Sequence, residues 1–150
     1  MSRYMDTTTN LELEEIAKKM KINLVGIFSK DQLPKSKSVG GYILNLQDNE
    51  DGGGTHWVGF TVSSKGPVLY FDSFGLPPPK EVKTFVKNKV AYNTRHLQDM
   101  KSNACGYWVL AFLKKNFSDI EEYDDWVNTF RVTNSQNERW LKTYFKKYNI

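Results

Sequence analysis

Cys105, Gly106, Tyr107, Trp108, Val109, Leu110, Ala111, Phe112 and Leu113 follow one another with almost no polar side chain until Lys114. A helix that is apolar all the way round cannot lie on a surface, because every face has to be covered. The stretch 104–117 therefore predicts a central helix, with the rest of the chain arranged around it. It is too short to cross a membrane, which takes roughly 20 apolar residues. A chain of 150 residues is one domain's worth and can enclose such a helix without cross-links, so residues 1–150 read as a single domain.

The flanking sequence supplies the layers. Residues 9–21 read as an amphipathic helix: Thr9 and Glu12 form a capping-box pair, and Leu13, Ile16, Ala17 and Met20 share one face. Residues 22–28 and 41–46 read as strands separated by a polar turn through Pro34. A glycine-rich loop at 48–54 leads into a period-2 strand at 56–62, and Lys65, Gly66 and Pro67 turn it into a second strand at 68–72. Gly75 and the prolines 77–79 break the chain before a helix at 80–90, with Val82, Phe85, Val86 and Val90 as its buried stripe. Ser135 and Glu138 form a second capping-box pattern, opening a last helix with Leu141, Tyr144, Phe145 and Tyr148 on one face. Helix, strands, then helices is an α+β order. The expectation is a small mixed or antiparallel sheet packed on helices, with the central helix buried.

Composition narrows the function. Apolar residues at 39% and charged residues at 25% are globular values. The first residues lack the apolar core of a signal peptide, so a soluble, intracellular, non-secreted protein is expected. One cysteine excludes an internal disulfide, and one cysteine with two histidines makes a structural zinc site implausible; no metal or cofactor is expected. A net charge of +4 is compatible with a polyanionic partner and equally with an ordinary solvated surface.

A lone cysteine is by default an inert, buried thiol. Cys105, however, falls in the first turn of the central helix, where unpaired N–H groups and the macrodipole favour a thiolate. Gly106 beside it leaves room for a substrate backbone. A nucleophile of this kind needs a base, and the candidates are His56, opening a strand after the glycine loop, and His96, in a polar stretch between elements. Position favours His56. Asp72 ends the neighbouring strand and could orient that imidazole if the hairpin register brings the two together; otherwise it is an ordinary turn former. Gln98, seven residues before Cys105, would alone be read as surface.

Gly53, Gly54, Thr55, His56 and Trp57, then Leu69 to Gly75 with Asp72 at its centre, then Gln98 and Asn103, Ala104, Cys105, Gly106 together resemble the adenovirus maturation proteases (adenains). More broadly they resemble the cysteine protease clan, clan CE, that includes the SUMO-deconjugating enzymes. The likeness runs from about residue 10 to residue 148, taking in Leu24 to Lys30 and the segment from Asn134 to Phe145. It implies a papain-like/adenain-like fold and the chain order base, acid, glutamine, nucleophile: His56, Asp72, Gln98 as oxyanion donor, and Cys105. It also implies a substrate cleft lined by Gly54, Thr55, Trp57 and Gly106, although Trp57 is equally a core residue by composition. The acid is glutamate in the adenoviral enzymes and aspartate in the SUMO proteases. With a single cysteine, the disulfide-linked peptide cofactor of the adenoviral enzymes is expected to be absent. The compact length points to a small virus-like source such as a virophage or related mobile DNA element.

The resemblance implies an endopeptidase that cleaves viral capsid or core precursors near Gly-Gly or Gly-X during virion maturation. It would work as a monomer within the host cell, in a virus factory or the nucleus, and travel in the virion, with DNA as an accessory activator. The same fold could instead remove a ubiquitin-like protein from its conjugates, or transfer acetyl groups from acetyl-coenzyme A. A non-catalytic DNA-binding module, suggested by lysines at 83, 87, 89, 142, 146 and 147, would leave the four site residues unexplained.

Overall fold

A computed structural model describes residues 8–46, 56–99, 102–130 and 134–150. The elements in chain order are α1 (Asn10–Lys19), β1 (Leu24–Ser29), a 3-10 turn (Lys30–Gln32), β2 (Gly40–Asn45), β3 (Trp57–Val62), β4 (Val68–Phe71), α2 (Lys80–Val86), β5 (Val90–Tyr92), α3 (Cys105–Lys115), α4 (Ile120–Asn128) and α5 (Asn134–Lys146). The five strands form one mixed sheet in sequence order. The outer pairs β1–β2 and β4–β5 run parallel, and the inner pairs β2–β3 and β3–β4 antiparallel. This is the α+β layout expected, with the sheet of the mixed kind.

Every residue of α3 from Cys105 to Leu113 is buried. Phe112 stacks on Phe71 of the sheet, and Trp108, one turn earlier on the same face of α3, meets Phe130 and Trp140. Both are fully buried, and truncating an aromatic so placed typically costs about 3–5 kcal/mol. Pleating divides the strands between two cores. Ile43, Trp57, Leu69 and Phe71 face α3. Tyr42, Leu44, Val58, Phe60, Val68 and Tyr70 face α2, where Val82 and Val86 cover them. The alternation in β3 thus sorts residues between two cores rather than between core and water.

α1 carries its capping box as expected, with Glu12 N–H on Thr9 Oγ1 and Thr9 N–H on Glu12 Oε1. Two expectations are corrected, and one helix was not foreseen. The helix at 80–90 stops at Val86, because Lys87 turns into the left-handed region (φ 57°), and Val90 begins β5 instead of continuing the stripe. The expected box of Ser135 and Glu138 does not form: α5 already includes Asn134, and the Glu138 carboxylate accepts hydrogen bonds from Asp99, Ser102 and Trp108 instead. The stretch holding α4 carried no helix expectation, yet Asp119 caps it and Tyr123, Trp126 and Val127 form its buried stripe. The loop expected at 48–54 lies outside the described residues.

Candidate active site

Cys105 is the first residue of α3, and the N-cap, Ala104, offers no capping side chain. The first-turn N–H groups and the positive end of the helix dipole therefore lie at the sulfur. Across from it, the backbone N–H of Trp57 donates to Cys105 Sγ at 3.4 Å. That bond fixes the sulfur against the start of β3, next to His56.

The hairpin supplies the acid. β3 and β4 pair as Gly59 with Phe71 and Thr61 with Leu69. Continued past the strand ends, this register sets Asp72 diagonally across from His56, a spacing within side-chain reach. His56 Nε2 lies 2.8 Å from Asp72 Oδ1. With Nε2 given to the carboxylate, Nδ1 is left for the sulfur, and the imidazole does hydrogen-bond the Cys105 side chain. Burial opposes protonation of the ring, but the hydrogen bonds to Asp72 and Cys105 and the charges on both outweigh it, raising the His56 pKa from 6.5 to about 9. The arrangement favours an imidazolium beside a sulfur that accepts hydrogen bonds.

Asp72 is fully buried and tightly held. Its Oδ1 also accepts the Phe74 N–H at 2.8 Å. Asn93 grips its peptide from both sides: the Asp72 N–H donates to Asn93 Oδ1 at 3.1 Å, and Asn93 Nδ2 donates to the Asp72 carbonyl at 2.7 Å. Since Tyr70 pairs with Tyr92 in the β4–β5 ladder, the Asn93 amide continues that ladder one step with a side chain. Gly75 closes the turn after the acid. Its φ of +74° suits glycine, and a Cβ there would come within 2.7 Å of the Thr94 carbonyl oxygen. Phe74 stacks on the His56 ring with centroids 4.8 Å apart, which fixes the plane of the imidazole.

Gln98 is 1% exposed, so the surface reading of a lone glutamine is overturned. Ser73 Oγ donates to its Oε1 at 2.5 Å, and its Nε2 donates to the Ser102 carbonyl at 2.8 Å. That bond leaves the second N–H of the amide as a further donor. Ser73, Phe74 and Asn93 are not singled out as site residues by the sequence, and Glu138 is read there only as a helix cap. Ser73 and Phe74 lie inside the Asp72 motif, but the site contacts of Asn93 and Glu138 give no signal until their partners are known.

The expected cleft residues fare differently. Gly54 and Thr55 lie outside the described residues. Trp57 is 3% exposed, and its indole N–H donates to the Thr8 carbonyl. It serves the site through its backbone N–H while its ring joins the core. At Gly106 a Cβ would come within 2.6 Å of Thr8 Oγ1 and 2.9 Å of Leu13, so the space left by the glycine is filled by the chain's own amino-terminal segment rather than by a substrate backbone. Cys105 is 4% exposed and the His56 side chain 18%, so both are largely covered. A surface cavity of about 480 Å³ lies elsewhere, at the far end of α3 around Leu113, Lys114 and Asn116, and includes none of the site residues. Among the described residues no cluster of His, Cys, Asp and Glu could hold a metal ion.

No family model and no curated protein matches the chain. Solved structures do. The crystal structure of ASFV pS273R protease is similar with a TM-score of 0.51 and 19% identity, covering 75% of this chain and 58% of that one. Its selenomethionine form gives a TM-score of 0.46 and 18% identity over the same shares. The chain thus spans a little over half the length of that protease. The likeness is one of fold: over that span the chain shares the α+β fold of the ASFV pS273R protease.

Proposed function

We propose that the protein is a cysteine endopeptidase. The observation that carries this reading is the contact chain at the start of α3: Cys105 on the His56 imidazole, and His56 Nε2 held 2.8 Å from a buried Asp72. In the reaction, the Cys105 thiolate attacks the carbonyl carbon of a peptide bond. The developing oxyanion takes hydrogen bonds from the free N–H of Gln98 and the backbone N–H of Cys105. Protonated His56 then gives its proton to the departing amine, leaving a thioester. Neutral His56 draws a proton from water, whose oxygen displaces the sulfur and releases the acid.

The low exposure of Cys105 and His56 suits an extended chain with small residues beside the cleaved bond, as in Gly-Gly or Gly-X sites. With the fold shared with a viral protease, this supports capsid or core precursors as substrates, cut during virion maturation inside the host cell. DNA would act, if at all, as an accessory activator, with an effect that fades steeply as salt is added. Because the one cysteine is the nucleophile, a disulfide-linked peptide activator would consume the site it was meant to switch on.

The test is cleavage of a fluorogenic Gly-Gly peptide, run beside a ubiquitin-like protein with a C-terminal reporter. Cys105→Ala is expected to remove all turnover with an unchanged circular dichroism spectrum. Peptide cleavage at the wild-type rate in that variant sinks the assignment. Turnover of the ubiquitin-like reporter alone would make the enzyme a deconjugase.

A further inference from the structure

Gln98 and Cys105 belong to different elements, and an oxyanion site exists only if the distance between them is held. Three side chains from the first turns of α5 reach this junction. Asn134 Nδ2 donates to the Gln98 carbonyl at 3.1 Å, and Asn137 Nδ2 to the Leu97 carbonyl at 3.2 Å. Glu138 does more. Its Oε2 accepts the Asp99 N–H at 3.2 Å and the Trp108 indole N–H at 3.0 Å, and its Oε1 accepts the Ser102 hydroxyl at 2.8 Å. Asp99 follows Gln98 directly. Ser102 supplies the carbonyl that holds Gln98 Nε2, and its hydroxyl also accepts the Ala104 N–H at 3.0 Å, just before the nucleophile. Trp108 stands one turn along α3 from Cys105.

We propose that Glu138 is a positioning residue, its carboxylate locking the Gln98 segment to the nucleophile helix and so setting the oxyanion site. The proposal rests on the protease reading above. A carboxylate has acceptor sites for all three donors at once, which no apolar or shorter side chain offers at this place. Among the described residues no hydrogen bond joins Glu138 directly to His56 or Asp72, so the clamp acts on the oxyanion donor more than on the thiol and its base.

Glu138→Gln can keep the network, its oxygen turned to the Asp99 and Trp108 N–H groups and its NH₂ to the Ser102 oxygen, which can accept. Glu138→Ala cannot. A misplacement of about 1 Å at a reacting centre costs around 10²-fold, so Glu138→Ala is expected to lower kcat by about 10- to 100-fold. In the same variant KM stays within about threefold, the mark of a contact made only in the transition state. Glu138→Gln retains kcat within about threefold, since its hydrogen bonds survive. Alkylation of Cys105 by iodoacetamide reads the thiol and its base alone, and stays within about twofold in both variants. Wild-type kcat in Glu138→Ala overturns the proposal, and so does a parallel fall of kcat and alkylation, which would mean a general structural role. Should Glu138→Ala not fold, Ser102→Ala removes one link, and undiminished kcat there overturns it equally. The Gln98 side-chain amide signals in an NMR spectrum report on the clamp without substrate. They should move in Glu138→Ala and stay in Glu138→Gln. A wild type that cleaves nothing defeats the protease reading, whereas unmoved Gln98 signals defeat the clamp.

Discussion

The two histidines both rest on the Phe74 ring, yet they are different chemical objects. His56 lies flat on it, with centroids 4.8 Å apart and planes 17° from parallel. His96 meets it edge-on at 5.0 Å and 80°. His56 has a buried carboxylate on one nitrogen and a sulfur on the other side of the ring. His96 Nε2 is buried and has no hydrogen-bond partner among the described residues. Aromatic surroundings are thus common to both, and what suits His56 alone to the proposed role of base is the held carboxylate. Asp72 in turn is defined by Asn93 and by the Phe74 N–H, so the base is built from the peptide geometry of β4 and the residues after it.

The sharpest way to break this contrast is to truncate each ring. His56→Ala is expected to lower kcat/KM by about 10⁴-fold, the upper end of what a positioned base and acid supplies. His96→Ala should leave kcat/KM within about tenfold, since it touches the site only through Phe74. Steady-state cleavage of one peptide by both variants decides it, and equal losses would erase the distinction.

The next effect isolates the carboxylate. With the His56 pKa raised to about 9, the imidazolium needed by the leaving amine is present below that value and lost above it. Activity should therefore hold up to about pH 9 and then fall. The linkage has the same sign for stability: a raised pKa stabilises the fold fully below about 6.5, and the gain disappears as pH rises through about 9. Asp72→Asn removes a charge and a hydrogen bond, so its basic limb should shift down towards the ordinary histidine value near 6.5, with kcat down by about 10²–10³. A pH–rate profile that keeps its limb at 9 would assign the shift to Cys105 instead.

The same contrast explains what the sequence could disclose. The buried helix, the cysteine at its start and the hairpin were legible because each is a local pattern: an unbroken apolar run, a cysteine at a helix start, and two short alternating runs about a Lys-Gly-Pro turn. The role proposed for Asp72 depended on register, which no local pattern fixes, and the β3–β4 pairing does bring its carboxylate to His56. Gln98, Asn93 and Glu138 were illegible or misread for one reason: a polar residue reads as surface, or as a cap, until tertiary packing supplies its partner. Glu138 had the spacing of a capping box, but the donors of Asp99, Ser102 and Trp108 claimed its carboxylate. Val90 had helical spacing, but the left-handed turn at Lys87 ended the helix and released it to the sheet. The resemblance put Trp57 in the cleft, with a core role equally open, and Gly106 was read as room for a substrate backbone, whereas packing against Thr8 draws both inward.

The smallest expected effect concerns His96 alone, and its sign is the informative part. A buried polar atom without a partner costs about 1–3 kcal/mol relative to one that is satisfied, and replacing it with an apolar group of similar shape is often neutral or stabilising. His96→Phe keeps an aromatic edge against Phe74 while removing the unpaired Nε2. Its melting temperature should equal or exceed that of the wild type by a few degrees, as about 1 kcal/mol would produce in a domain of this size. Activity should stay within about threefold, because the base and its carboxylate are untouched. A clear drop in melting temperature would mean that Nε2 has a partner in solution, and the two histidines would then differ in what they bind rather than in whether they bind at all.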